Sequence, residues 1–408
     1  MKNIFILLLL ISGLFFTNKA QAQVWATKNQ WDQSWEDKYS DWVEKSWDDE
    51  IFMRPESVVY QIATDCADAS YTMRALYSYL NELPFQILNP SNDIKGKYLT
   101  NEINNFNHYP AGNERFRAFL KNIIGNAGSA SLANDTYPIG LDRRYLRAGA
   151  VYVTPNDHSY QVKTVNASGV PVMYSSTVPK EARYLAILNS FPFYMPKDFV
   201  TFKDGFRAFK QPQHYLMNEI DLPGYSQFQF VISKKHDENI LSFGDEVASI
   251  ISVVPETLAE KINRAATNMC YFSTDRGVTV GWTLNRRTNN NNRCFTAAEY
   301  DSESTPSRDR KLKLMYEYAE QLTKDPEFKQ SVAMYKAGLE YIFDGQPELG
   351  NNDLLSWCST HPPYIYLKNF TLKNIWLAIK AGTLISDPNA PLEQRWGLEP
   401  YTASCKTY

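Results

Sequence analysis

The chain has 408 residues, 42 Lys and Arg against 45 Asp and Glu, and a formal net charge of −3. That length holds two domains of ordinary size. The charges are balanced and no basic stripe stands out, which argues against nucleic acid as the principal partner.

Lys2 followed by the apolar run Ile4 to Phe16 and the small-x-small site Ala20-Gln21-Ala22 reads as an export signal over 1–22. The run is too short to span a membrane comfortably, and no second one follows. Removing Lys2 and Lys19 from the 42 basic residues leaves 40 against 45 acidic, or −5. Export places the chain in an oxidising compartment, secreted or periplasmic, where cysteines pair.

Trp31, Trp35, Tyr39 and Trp42 follow spacings of four, four and three, which predicts a helix with an aromatic face. That face reads as packing on the main domain, with ligand stacking as the alternative. The strongest helix covers 66–81. Asp65 is its N-cap, Asp68 adds charge to its first turn, and Pro84 stops it. Residues 89–145 read as a polar insertion with one helix near Glu114 to Ile124. His108 within it is a surface histidine by default.

Three strands follow in 148–178. Val151 and Val153 alternate in the first, and His158, Tyr160, Val162 and Thr164 share a face of the second. The turn Asn166-Ala167-Ser168-Gly169 leads to the third, Val170 to Thr177. Beyond Pro196 the patterns weaken. Phe228, Phe230 and Ile232 alternate with Gln227 and Gln229 as a strand would, and Gly277 to Leu284 reads as another. The C-terminal part is helical around Leu312 to Leu322, Tyr335 to Ile342 and Thr371 to Ala381. Pro212 and Pro223-Gly224 punctuate a boundary near 210–225, giving domains over 23–220 and 221–408.

Five cysteines leave one unpaired if the others bridge. Cys270 and Cys294 flank a segment that reads as a hairpin, so the expected pairs are Cys270 with Cys294 and Cys358 with Cys405. Cys66 is then the free thiol. It sits at a helix start, where first-turn N–H groups favour a thiolate. Such a nucleophile needs a base, and among His108, His158, His214, His236 and His361 the best placed is His158, opening a strand after a tight turn. Opposite it in a hairpin centred between Ala167 and Ser168 stands Thr177, with Ser175 near by, as candidate orienting hydroxyls. An upstream side chain, Tyr60 or Gln61, is a candidate oxyanion donor beside the Cys66 backbone N–H. No metal-ligand spacing, phosphate loop or Gly-x-Ser-x-Gly elbow occurs, so no cofactor is expected.

Asp65-Cys66-Ala67-Asp68-Ala69, Arg74 and Leu83-Pro84 resemble the cysteine helix of the papain-like superfamily, in its transglutaminase-like branch. Ala148-Gly149-Ala150-Val151-Tyr152-Val153 before Asp157-His158 resembles instead the histidine strand of NlpC-like cell-wall peptidases. The resemblance covers about residues 55–180. It implies an α+β fold, with the nucleophile helix packed on an antiparallel sheet and a mostly helical C-terminal region beyond. It also implies Cys66 as nucleophile and His158 as base, and it supports Tyr60. The function implied is a secreted cysteine hydrolase acting on amide bonds of a peptide or peptidoglycan-like substrate. Transglutaminase-like acyl transfer and a non-catalytic secreted binding protein on a degenerate papain-like core are the alternatives. The Asp, Asn or His that these families place opposite the histidine is missing here.

Overall fold

The computed structural model describes residues 23–155, 158–176, 181–198, 200–201, 203–236, 239–346, 358 and 370–408. The expected signal at 1–22 lies outside these residues. Local turn chemistry builds the centre of the sheet. Gly169, at φ +84°, closes the turn that joins β5 (His158–Val165) to β6 (Pro171–Ser175). On the other side β5 pairs with β4 (Val151–Thr154). These are the three strands the alternation predicts. The sheet also recruits β3 (Thr136–Pro138), β7 (Ala186–Asn189) and β8 (Gly205–Phe209), in the antiparallel order β3-β8-β4-β5-β6-β7. A separate hairpin joins β1 (Gln86–Leu88) to β2 (Tyr98–Thr100).

Helices cover both faces of this sheet. On one lie α1 (Gln33–Ser46), α2 (Cys66–Leu80), α3 (Asn113–Ile124) and α4 (Ser129–Asp135). Their core includes Tyr39, Val43, Met73 and Phe119, with Val151, Val153 and Phe209 from the sheet. Lys163 reaches from β5 to the carbonyls of Val43 and Trp47 at the end of α1, where a cation suits the helix dipole. Trp31 and Tyr39 are buried against Tyr77, so the aromatic face is a packing face there.

The other face is covered by the C-terminal part: α5 (Phe228–Lys235), α6 (Ile240–Ile251), α7 (Leu258–Asn289), α8 (Ala297–Glu303), α9 (Pro306–Thr323), α10 (Lys336–Phe343), α11 (Leu372–Ala381) and α12 (Leu392–Arg395). Tyr152, Tyr160, Val162, Met173 and Phe206 of the sheet share one buried cluster with Met269, Tyr316 and Trp396. That cluster crosses residue 220, where a boundary between domains was expected.

Three expectations are corrected. Phe228 to Ile232 is helical within α5, and the buried Gln229 amide accepts from Phe206 N at 2.7 Å and donates to Phe206 O at 2.9 Å, doing for β8 what a neighbouring strand would do. Gly277 to Leu284 lies inside the 32-residue α7, whose capping box at Thr257 and Glu260 starts the helix far upstream. The disulfides join Cys270 to Cys358 and Cys294 to Cys405. Cys270 sits mid-helix and Cys294 beyond the helix end. The intervening turns, rising about 1.5 Å per residue, hold the two sulfurs too far apart to bridge.

Candidate functional site

The first turn of α2 is fixed by two acids. Asp65 accepts from Asp68 N at 2.9 Å, and Asp68 accepts from Asp65 N at 2.8 Å, so each carboxylate satisfies one free donor of the helix start. The remaining Asp68 oxygen, Oδ1, is buried without a partner. Burial, with the Asp65 charge beside it, pushes the Asp68 carboxyl up to about 8. The expected cap at Asp65 is therefore present.

Cys66 is the first residue of this helix and the free cysteine among the described residues. Under it the sheet presents small polar groups. Gln161 Nε2 donates to the Cys66 carbonyl at 3.2 Å and to Ser70 Oγ at 2.8 Å. Thr64 Oγ1 donates to Ser176 Oγ at 3.0 Å, tying the approach to Cys66 to the end of β6. Ser159 lies toward the sulfur. Burial, with the Asp65 charge beside it, pushes the thiol up to about 12. The pull of Ser159 and of the Ser159 and Ala67 N–H groups does not offset this. A helix start favours a thiolate only where water or a cation shares the charge, and Cys66 is 9% exposed.

His158 is not beside Cys66. Alternate residues of a strand face opposite sides. Ser159 and Gln161 face α2, while His158 and Tyr160 face the C-terminal helices. The His158 and Tyr160 rings meet edge to face at 4.6 Å. His158 Nε2 lies 2.7 Å from Ser175 Oγ, so the structure does join this candidate pair, away from the thiol. Burial holds the imidazole well below its ordinary value, and the charges of Lys311 and Arg308 lower it further. The expected Cys66–His158 dyad is thus not formed.

The slip from expectation continues along β5. The register shifts between Val162 and Thr164, and Thr164, expected on the His158 face, turns to α1 and donates to Glu44 at 2.6 Å. Thr177 lies outside the described residues, as does His361. Tyr60 is occupied by its neighbours: its hydroxyl accepts from Gln61 Nε2 at 3.2 Å and its carbonyl from Arg117 at 2.9 Å. The other described histidines are also engaged elsewhere. His108 lies over Tyr109, His214 meets the Tyr137 ring, and His236 pairs with Glu246 at 2.6 Å.

A second place has the makings of a site. A cavity of about 170 Å³ opens between α1, α2, the 144–150 loop and a short 3-10 turn, Pro212–Leu216. Arg74 and Glu36 form its wall through two bonds of 3.0 and 2.6 Å, and Arg74 stacks on Trp31 at 3.5 Å. Gly149 lets the wall close. At φ +89°, a Cβ there would stand 2.6 Å from the Tyr39 ring. Sequence reading singled out Arg74, Tyr39 and His214 for other reasons. Their meeting could not be read, since His214 comes from a segment more than a hundred residues from the other two.

Among the described residues no cluster of His, Cys, Asp or Glu is arranged to hold a metal ion. Comparison with protein families, curated proteins and solved structures finds no match to this chain.

Proposed function

We propose that this chain is an exported, disulfide-braced binding protein that carries a papain-like arrangement of helix and sheet without a working nucleophile. One observation carries the reading: the thiol and the imidazole stand on opposite faces of the same sheet, with Ser159 where a base would be needed. Hydrolysis and acyl transfer both begin with the thiolate, so both readings lose the same first step. A buried thiol beside a carboxylate, with small hydroxyls for neighbours, behaves as a small packed residue. Two disulfides are compatible with an extracellular setting, and no helix of the described residues is long and apolar enough to cross a membrane.

Alkylation by iodoacetamide at neutral pH tests the reading. Folded protein should react at Cys66 far more slowly than free cysteine, and His158→Ala should leave that rate unchanged. Fast alkylation that slows in His158→Ala would restore the hydrolase.

A further inference from the structure

A binding protein needs polar groups that its own fold leaves free. The cavity beside Arg74 has its groups engaged, since Glu36 accepts from both Arg74 nitrogens and from Gln211 Nε2 at 2.8 Å. A groove at the end of α7 does not. Its volume is about 350 Å³, and it lies open between the last turns of α7 and the segment with Glu181 and Arg183 that leads into β7. Trp282, Asn285, Arg286 and Asn289 stand three, one and three residues apart, so they share the helix face that lines it. At about 10–15 Å³ per water the groove holds roughly thirty waters.

The groups at the back of the groove are satisfied. Glu303 is buried and accepts from Arg286 and from Thr283 Oγ1 at 3.2 Å. The groups in front are not. Arg183 lies 3.5 Å from the centre of the Trp282 ring, a stack that holds the guanidinium flat without using its donors. Its Nε is buried with no hydrogen-bond partner, and its two terminal nitrogens keep accessible surface and have no acceptor among the described residues. Guanidinium donors this close to the protein interior usually find a partner. Asn285 and Asn289 are exposed, and among the described residues neither amide is hydrogen-bonded. Asn is a poor helix former, so helix stability does not account for two of them on one face.

The lining carries two acids, Glu181 and Glu303, and two bases, Arg183 and Arg286, so its charges balance. An anion would meet Glu181, and an apolar ligand would find Trp282 as the one apolar side chain of the lining. Free amides that both donate and accept, beside a fork that donates, suit a neutral ligand rich in hydroxyls. The geometry points to a neutral saccharide chain as the occupant: its hydroxyls exchange hydrogen bonds with Asn285 and Asn289 and accept from Arg183, and its C–H groups meet Trp282. This rests on the binding reading above and extends it to a ligand class.

Titration calorimetry of the full exported chain, with disulfides intact, tests it with neutral hexasaccharides of glucose, of mannose and of N-acetylglucosamine. Hexagalacturonate is the anionic control and triglycine the peptide control. At least one neutral hexasaccharide should bind saturably at one site per chain, with an affinity that salt leaves unchanged. Both controls should bind at least about tenfold more weakly. The double change Asn285→Ala and Asn289→Ala removes two hydrogen-bonding amides and should weaken the hexasaccharide about tenfold or more. Ala is the better helix former, so the thermal midpoint should hold or rise, which verifies that the fold is retained. Arg183→Lys keeps the charge, loses the fork and should weaken binding severalfold. The inference is overturned if all the neutral hexasaccharides are silent, if either control binds as tightly, or if the double variant and Arg183→Lys both keep the original affinity. The two readings fail separately. A reactive Cys66 removes the non-catalytic reading without touching saccharide binding, and silent titrations remove the saccharide groove without activating Cys66.

Discussion

At the scale of single residues, the decisive fact is a parity. A strand turns alternate side chains to alternate faces, so a shift of one residue exchanges everything that meets the helix. His158, Tyr160 and Val162 do share a face, as their spacing indicates, but it is the face away from α2. Which face meets a distant helix is decided by packing and leaves no mark in local spacing. Asp65 was legible because capping is local: an acid before a helix, and another three residues on. That cap carries a pH dependence. The folded Asp68 carboxyl titrates near 8, above its ordinary 3.8, because burial disfavours the charged form. A raised folded value means that the stability Asp68 contributes is complete below about pH 4 and is lost as pH rises through about 8. Asp68→Asn keeps the acceptor for Asp65 N and cannot ionise. Its thermal midpoint should match the parent near pH 4 and exceed it increasingly toward pH 8, an advantage in unfolding free energy on the order of a few kcal/mol. A constant difference across that range would contradict the assignment.

At the scale of elements, long periodic segments were readable and short ones were not. The helices at 33–46, 113–124 and 306–323 each bury a stripe that recurs at helical spacing, and the helix at 66–80 is buried on every side from Cys66 to Ser78. β3, β7 and β8 are three to five residues long and take their strand character from the neighbours they pair with. The central part of α7 is rich in Val and Thr, whose β-branched side chains favour strands, yet packing against α9 holds it helical. The misread helix misled the disulfide pairing, since a hairpin would have brought Cys270 to Cys294. Peptide mapping without reduction should recover Cys270 linked to Cys358 and Cys294 linked to Cys405. Each bridge closes a loop of 88 or 111 residues, and the loss of either should cost roughly 4–5 kcal/mol in the chain-entropy account. A fragment linking Cys270 to Cys294 would overturn the helical assignment of this region.

At the scale of the whole molecule, the sheet is a shared wall. Its residues alternate between two buried clusters, and the larger cluster takes members from both sides of residue 220. A sheet hydrophobic on both faces must be covered on both. Residues 23–220 expressed alone would expose Tyr152, Tyr160, Val162, Met173 and Phe206 to water. That fragment should show no cooperative thermal transition, whereas the full chain should show one. A fragment that melts sharply on its own would mean that the C-terminal helices are an appendage. Pro212 and Pro223-Gly224 suggested a boundary because they do punctuate the chain, yet the chain continues from them onto the far face of the same sheet.

The same wall separates thiol from imidazole, and the ultraviolet titration of the Cys66 thiolate addresses that separation most directly. The signal is the absorbance difference between the parent protein and Cys66→Ala as pH rises. The account predicts no thiolate below about pH 9, above the ordinary cysteine range, and the same curve in His158→Ala. A thiolate already present at neutral pH, and lost in His158→Ala, would contradict it.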